Sequence, residues 1–238
     1  VVIAVALRDP EPCVLASDPE QVSVGTVLGG DQKDCYRLDA APDLSPAEIL
    51  RLPAVPRLLG LQFLVFLAFN FYYVAFPIHA ATRLRWNLTE VGVYFAAVSI
   101  LMAVVQGPIL SRLSRRYGDR PLVIGGSVLL ATAFALYTSP RLAPLVAGTV
   151  LLAIGNGLMW PSLMALLSKT TDRTTQGAVQ GFAASANAVA SILGLLLGGF
   201  IYTGWGSGVF LLAGAMTGLV CLFAVGIRRP GAAATATP

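Results

Sequence analysis

Six stretches of about twenty apolar residues fill most of positions 57–227, and none of them contains an acidic residue. Each stretch is long enough to cross a hydrocarbon core of about 30 Å as a helix that rises about 1.5 Å per residue. Only 12% of the chain is charged, against roughly 25% in soluble domains, and the mean hydropathy is +0.74. The sequence therefore predicts an all-α membrane protein with a six-transmembrane-helix bundle over 57–227, its helices lying at 57–82, 91–111, 121–139, 143–167, 178–203 and 207–227.

The residues ahead of this bundle predict two shorter features. Residues 1–7 are apolar but too few to span a membrane, so we interpret them as the end of a truncated preceding transmembrane helix. A short strand or an interfacial segment is the alternative. Residues 8–56 are polar and rich in proline and aspartate, which predicts a connector. Within the connector, Ser45, Pro46 and Glu48 have the spacing of a helix N-cap, a first-turn proline and a capping box, which predicts a short helix near 46–52.

Lysine and arginine are distributed unevenly between alternate connections. Of the sixteen, all but Arg83, Arg85 and Arg141 lie in the 8–57 connection, in the 111–120 and 168–177 loops, or after residue 227. Short loops that carry an excess of Lys and Arg face the cytoplasm. We therefore expect the connector 8–56 and the C-terminus to be cytoplasmic, the latter as a disordered tail over 228–238.

Composition argues against several function classes. The net charge of +4 comes from basic residues spread among loops and not from a patch with interleaved aromatics, so no nucleic-acid partner is expected. One histidine, His79, and three cysteines without CxxC spacing predict no metal site. The spans hold no carboxylate, and the chain has no HExxH motif or Ser/His/Asp set. Neither an enzyme nor a bound cofactor is predicted.

Polar side chains near the middle of the spans mark a candidate cavity. Asn70, Asn156 and Asn187 lie near the centres of three spans, and an amide surrounded by lipid needs a polar partner. One shared cavity explains all three amides more simply than three separate contacts, although hydrogen bonding between helices is the alternative for each. Adding amide and aromatic neighbours gives the predicted substrate-binding set: Asn70, Tyr73, Gln106, Asn156, Trp160 and Asn187.

Residues 106–122, which read QGPILSRLSRRYGDRPL, resemble the loop motif of the major facilitator superfamily, in the copy between helices 8 and 9. Aligned on Gly118, Arg116 and Arg120 take basic positions, whereas Ser111 and Arg115 replace a glycine and an acidic residue of the motif. We expect Arg116 and Arg120 to join the cytoplasmic ends of neighbouring helices, through helix C-terminal carbonyls or Asp119. The loop motif comprises Ser111, Arg112, Arg115, Arg116, Gly118, Asp119 and Arg120.

A second stretch, 155–202, runs from Gly155-Asn156-Gly157 to Ile201-Tyr202 and resembles helices 10 and 11 of the drug:proton antiporters, in particular the tetracycline efflux group. Leu195 stands where a proline often follows the glycine equivalent to Gly194. Together the two resemblances cover about 50–230. They imply the C-terminal half of a twelve-helix facilitator fold, made of two inverted three-helix repeats, 57–139 and 143–227, in a bacterial inner or plasma membrane.

The function that this resemblance implies is secondary active transport of a small amphipathic or drug-like solute by alternating access, with proton-coupled efflux as the expected mode. The expected partners are the small-molecule substrate, the lipid bilayer and a missing N-terminal six-helix half of the same protein. That half would carry the proton-binding carboxylate that these spans lack. A uniporter, a sugar-type facilitator, and a non-transporting membrane scaffold or receptor remain as alternatives.

Overall fold

Eight α-helices follow one another in residues 44–172 and 175–226, the part of the chain that this computed structural model describes, and no strand occurs there. The predicted segment 1–7, the connector up to residue 43 and the tail 228–238 lie outside the described residues. Two π-helical segments, Ala80–Leu84 and Val105–Ile109, extend α2 and join α3 to α4. The helices are α1 Pro46–Ile49, α2 Val55–His79, α3 Leu88–Val104, α4 Leu110–Tyr117, α5 Asp119–Leu136, α6 Leu142–Lys169, α7 Gln176–Trp205 and α8 Gly208–Val225.

Six helical spans in the described residues are long and apolar enough to cross a membrane, which confirms the predicted all-α six-helix architecture. The first span joins α2 to its π-helical segment, and the second runs through α3 and α4 as one unit of 30 residues. At about 1.5 Å per residue the second span is about 45 Å long, so it extends beyond a hydrocarbon core of about 30 Å. The remaining spans are α5, α6, α7 and α8.

The short helix α1 begins as the capping pattern predicts. The Glu48 carboxylate accepts hydrogen bonds from the Ser45 amide at 2.7 Å and the Ser45 hydroxyl at 2.8 Å, and these bonds lower the pKa of Glu48. The helix ends at Ile49, earlier than the predicted residue 52. Because a proline disfavours helical geometry in the residue before it, Leu52 ahead of Pro53 cannot continue the helix, and the last turn is closed by tighter i→i−3 bonds.

The predicted 111–120 loop is mostly helical, which corrects the sequence-based expectation. Its arginines Arg112, Arg115 and Arg116 lie on α4, and Asp119 begins α5. Only Gly118 interrupts the helices, with φ of +78°, a conformation that residues with a Cβ rarely adopt. The second span continues as a helix beyond its apolar part. Its hydrophilic end has the composition of a loop, which is why the sequence predicts a loop there.

The spans pack in a pattern that repeats between the two halves of the bundle. α2 packs against α7 and α8, α6 packs against α3 and α5, and α5 packs against α8. The first three spans begin with α2, α3 and α5, and they correspond in order to α6, α7 and α8. Under this correspondence the α2–α7 contact matches the α6–α3 contact, and the α2–α8 contact matches the α6–α5 contact. Since each set has three spans, the second set enters the membrane from the opposite side. This pattern is that of two inverted three-helix repeats.

Glycines allow two of these helix pairs to approach closely. A Cβ on Gly155 of α6 would lie 2.8 Å from the Gly126 carbonyl oxygen of α5, and one on Gly126 would lie 2.6 Å from the Gly155 oxygen. On α7, a Cβ on Gly198 would lie 3.1 Å from the Phe71 Cα of α2. Small residues at such contacts are the usual means by which membrane helices pack without a hydrophobic driving force.

A buried cluster of tyrosines joins four helices at the end of the bundle where α5 ends and α6 begins. The Tyr94 hydroxyl lies 2.8 Å from that of Tyr72 and 2.7 Å from that of Tyr137, within hydrogen-bonding distance of both. Thr149 of α6 lies 3.3 Å from the Tyr94 and Tyr137 hydroxyls. Each polar atom in this cluster has a partner, so the cluster connects α2, α3, α5 and α6 without an unsatisfied hydroxyl.

Candidate functional site

A cavity of about 240 Å³ opens between α2, α6 and α7, and four predicted site residues line it. Asn70 and Tyr73 come from α2, one helical turn apart, while Asn156 and Trp160 occupy the same face of α6 at i and i+4. Because i and i+4 positions stack on a helix, each helix presents one amide beside one aromatic ring. The other lining residues are Val65, Phe66, Phe69 and Ser191.

Both cavity amides are held by hydrogen bonds from their nitrogen. Asn70 Nδ2 donates to the Phe66 carbonyl oxygen at 2.8 Å and to Ser191 Oγ at 3.2 Å. Asn156 Nδ2 lies 3.8 Å from the Met102 sulfur, a weak acceptor. These donor contacts fix the orientation of each amide, and they tie the cavity wall on α2 to α7 and the wall on α6 to α3.

Aromatic rings form the apolar part of the same cavity. Phe66 meets Trp160 edge to face with the ring centroids 4.8 Å apart, and Phe69 lies 6.1 Å from Tyr73. Sequence reasoning missed Phe66, Phe69 and Ser191 as site residues. Phe66 lies one turn before Asn70, and Phe69 one turn before Tyr73, so projection of the α2 face around Asn70 would have identified them.

Asn187 departs from the predicted arrangement. The expectation was that Asn70, Asn156 and Asn187 share one void, but Asn187 is 8% exposed and does not line the cavity. It lies one helical turn before Ser191 on α7, and the cavity reaches α7 at Ser191. The Asn187 Oδ1 atom is buried without a hydrogen-bond partner among the described residues. One cavity therefore unites two of the three central asparagines.

Gln106 lies in a second cavity, of about 230 Å³, between α2, α3 and α6. Gln106 belongs to the π-helical segment Val105–Ile109, which also contains Pro108. A proline provides no backbone N–H, so the regular α-helical bonding cannot pass through this point. The wider π turn places Gln106 beside Ser99 and Met102 of the preceding helical turns and opposite Tyr73.

The loop-motif residues lie at one end of the bundle, which we name the basic end: α4, the starts of α2 and α5, and the ends of α6 and α8. Arg120 donates to the Ala224 carbonyl oxygen at 3.3 Å and to that of Val225, at the C-terminus of α8. Arg57 at the start of α2 donates to the Gly226 oxygen at 2.8 Å. Two guanidinium groups thus satisfy carbonyls that the end of α8 leaves free.

Asp119 and Arg116 have different partners from those expected. The buried Asp119 carboxylate pairs with Lys169 at the end of α6 and accepts a hydrogen bond from the Ser114 hydroxyl at 3.0 Å. Arg116 is exposed on α4, and its guanidinium carbon lies 5.4 Å from the centre of the Tyr117 ring. Arg120 therefore makes the predicted contact with helix carbonyls, whereas Arg116 makes none within the described part of the chain.

Comparison with known proteins agrees with this architecture. The chain matches the family model "Major Facilitator Superfamily" over residues 58–237. It is 30% identical over 195 residues to the tetracycline resistance protein, class G, of Vibrio anguillarum, covering 79% of this chain and 49% of that protein. With the class C tetracycline resistance protein of Escherichia coli it shares 31% identity over 158 residues, which cover 65% of this chain and 39% of that protein.

A solved structure has the same fold. The human organic anion transporter MFSD10 (TETRAN) aligns with a TM-score of 0.69 at 22% sequence identity, over 75% of this chain and 44% of that one. The chain thus spans about half the length, or less, of each of these relatives. Six apolar spans, the repeated packing pattern and a family match that extends over nearly all six spans lead to one conclusion. The chain belongs to the Major Facilitator Superfamily, and it is an integral, multi-pass membrane protein.

Proposed function

We propose that this chain forms one half of a secondary active transporter that moves a small amphipathic or drug-like solute across the membrane by alternating access. The observation that carries the proposal is the cavity in which Asn70, Tyr73, Asn156 and Trp160 meet. Aromatic walls with a few oriented amides suit a solute that is largely apolar and makes few hydrogen bonds. The cavity lies within membrane-spanning helices, where polar side chains are costly and typically mark a substrate pathway.

The second part of the proposal is a six-helix partner on the exposed faces of α3 and α7. Only 22% of the most apolar window of each of these spans is buried, against 44–56% in the other four. α3 and α7 border the two cavities and occupy equivalent positions in the two repeats. Because the matched part of this chain covers only 49% of the class G tetracycline resistance protein, we propose that an N-terminal half of the same protein covers both faces.

Proton-coupled efflux is the proposed mode of transport. The similarity to tetracycline resistance proteins supports the proposal that the solute is drug-like and is exported. A carboxylate within the membrane is a usual proton carrier in transporters. In the described spans, acidic residues occur only in first turns, as Glu90 of α3 and Asp119 of α5. The proton-binding carboxylate would therefore belong to the other half. The basic end would face the cytoplasm, as the arginine distribution favours.

An efflux assay on the full-length protein tests this function. Cells that express it are loaded with a panel of fluorescent aromatic solutes and a tetracycline, and accumulation is measured with and without a protonophore. We expect lower accumulation than in cells with an empty vector, and loss of the difference when the proton gradient collapses. Efflux that survives the protonophore would favour a uniporter or another coupling ion, and no efflux of any solute would favour a scaffold or receptor.

Two cavity variants connect that activity to the site. Asn156→Ala and Trp160→Ala should change the ratio of efflux rates between solutes by about tenfold, because removing a pocket contact alters discrimination by about 1–3 kcal/mol. Trp205→Ala is the matched control, since Trp205 is 61% exposed at the end of α7 and lies outside both cavities. If all three variants keep the wild-type ratios at equal membrane levels, the cavity is not the substrate site.

A further inference from the structure

Among the described residues, Tyr73 alone lines both cavities. It projects from α2 with 48% of its surface exposed, whereas its neighbour Tyr72 is 1% exposed and belongs to the buried tyrosine cluster. The first cavity lies on the α7 side of Tyr73, and the second lies on its α3 side. The phenol ring therefore stands between two spaces of nearly equal volume, about 240 and 230 Å³.

A second contact continues the same boundary. Asn156 lines the first cavity and Met102 lines the second, and the Asn156 amide points at the Met102 sulfur at 3.8 Å. Beyond this pair, a Cβ on Gly157 would lie 2.7 Å from Val105 Cγ1, so α6 directly contacts the π-helical segment Val105–Ile109 there. The boundary thus consists of the Met102 thioether, the Asn156 amide and the Tyr73 ring, and the ring is its largest part.

The ring is held in place by aromatic contacts on both sides. Its centroid lies 6.1 Å from that of Phe69 in the first cavity and 5.9 Å from that of Phe95 in the second. Such aromatic pairs favour a defined ring geometry beyond what buried area alone provides.

The two compartments differ in chemistry. The first has the Phe66 and Trp160 rings with the Asn70 and Asn156 amides. The second has the Ser99 hydroxyl, the Gln106 amide and the Met102 thioether, and a larger share of its wall is polar. The first suits a planar aromatic group, and the second suits a chain or ring edge that carries hydrogen-bonding groups.

Volume shows why the boundary matters. The proposed N-terminal half would add to both compartments. Within this chain, neither compartment alone reaches the roughly 300–1,000 Å³ of a site for a drug-sized ligand, and the two together do. We propose that Tyr73 is a size-selecting partition of the substrate site. With its ring in place, each compartment takes one small group, and a solute occupies both only when the ring moves aside. This inference rests on the transport function proposed above.

The test compares Tyr73→Ala with Tyr73→Phe in the full-length protein. The probes are a series of solutes in which one fluorescent aromatic ring carries a polar chain of increasing length. Tyr73→Ala removes the partition, so efflux of the longest members should rise about tenfold relative to the shortest, a change typical of reshaped pockets. Tyr73→Phe keeps the ring and should retain the wild-type length preference.

The outcomes distinguish failure of the transport function from failure of the partition role of Tyr73. Wild-type efflux of any member of the series supports the transport function independently of Tyr73. If the wild-type protein transports the series and Tyr73→Ala keeps the same length preference at equal membrane level, the partition is wrong. It is also wrong if Tyr73→Phe changes the preference as much as Tyr73→Ala, because the hydroxyl would then be the selective group.

Discussion

At the scale of single residues, Gly155 is a position at which a methyl group has no room between α5 and α6. A Cβ there would lie 2.8 Å from the Gly126 carbonyl oxygen and 3.0 Å from Leu130. We expect Gly155→Val to destabilise the protein by about 1–3 kcal/mol, since overpacking a helix contact forces the backbones apart. The thermal unfolding midpoint of the purified full-length protein in detergent measures the effect.

Gly125 provides the matched control for this prediction. It lies on α5 next to Gly126, but a Cβ there would meet nothing within 4 Å. Gly125→Val should keep a midpoint close to that of the wild type. Equal midpoints for the Gly125 and Gly155 variants would mean that α5 and α6 tolerate separation and that their close approach contributes nothing to stability.

Which residues face the cavity could be predicted only in part from the sequence. The spacing of Asn70 with Tyr73, and of Asn156 with Trp160, places each pair on one helical face whatever the fold. The partner of each face depends on packing between helices far apart in the chain. Asn187 therefore could not be distinguished from Ser191, one turn away, although only Ser191 reaches the cavity and Asn70.

At the scale of helices and their ends, the C-terminus of α8 depends on arginines from two other helices. Arg120 binds the carbonyl oxygens of Ala224 and Val225, so Arg120→Gln should leave two helix-end carbonyls without their charged donor. We expect a loss of about 1–3 kcal/mol of stability and faster proteolysis after α8. Limited trypsin digestion and thermal unfolding of the full-length protein measure these two effects.

Arg116→Gln is the control for that element. Arg116 is exposed and contacts only the Tyr117 ring among the described residues, so its variant should behave like the wild type in both measurements. If Arg116→Gln lowers the stability of the protein as much as Arg120→Gln does, the basic end is stabilised by its total charge and not by contacts with α8.

The helices themselves were predicted more completely than their ends. Apolar length alone identifies the six spans, because a membrane imposes that length. The continuation of the second span through α4 was missed, since three arginines in eight residues have the composition of a loop. The contact between Arg120 and α8 joins positions 104 residues apart, and no local pattern encodes such a pairing.

At the scale of the whole molecule, the orientation in the membrane is a separate testable prediction. In a background without Cys13, Cys35 and Cys221, Tyr117→Cys should react with an impermeant thiol reagent only after the membrane is opened. Arg141→Cys, at the opposite end of the bundle, should react in intact cells. The reverse pattern would place the basic end outside and would contradict the cytoplasmic assignment.

The pairing of α2 with α7 and α8 has a consequence for how the chain is made. Asn70 and Ser191 are 121 positions apart, and Arg57 and Gly226 are 169 positions apart. At a synthesis rate of about 5–20 residues per second, the partners of α2 leave the ribosome on the order of ten seconds after it. During that interval Asn70 is already at membrane depth, and its amide nitrogen has only the Phe66 carbonyl oxygen of its own helix as a partner. A nascent chain that stalls before α7 would therefore lack the contact that joins the amide of α2 to a second helix.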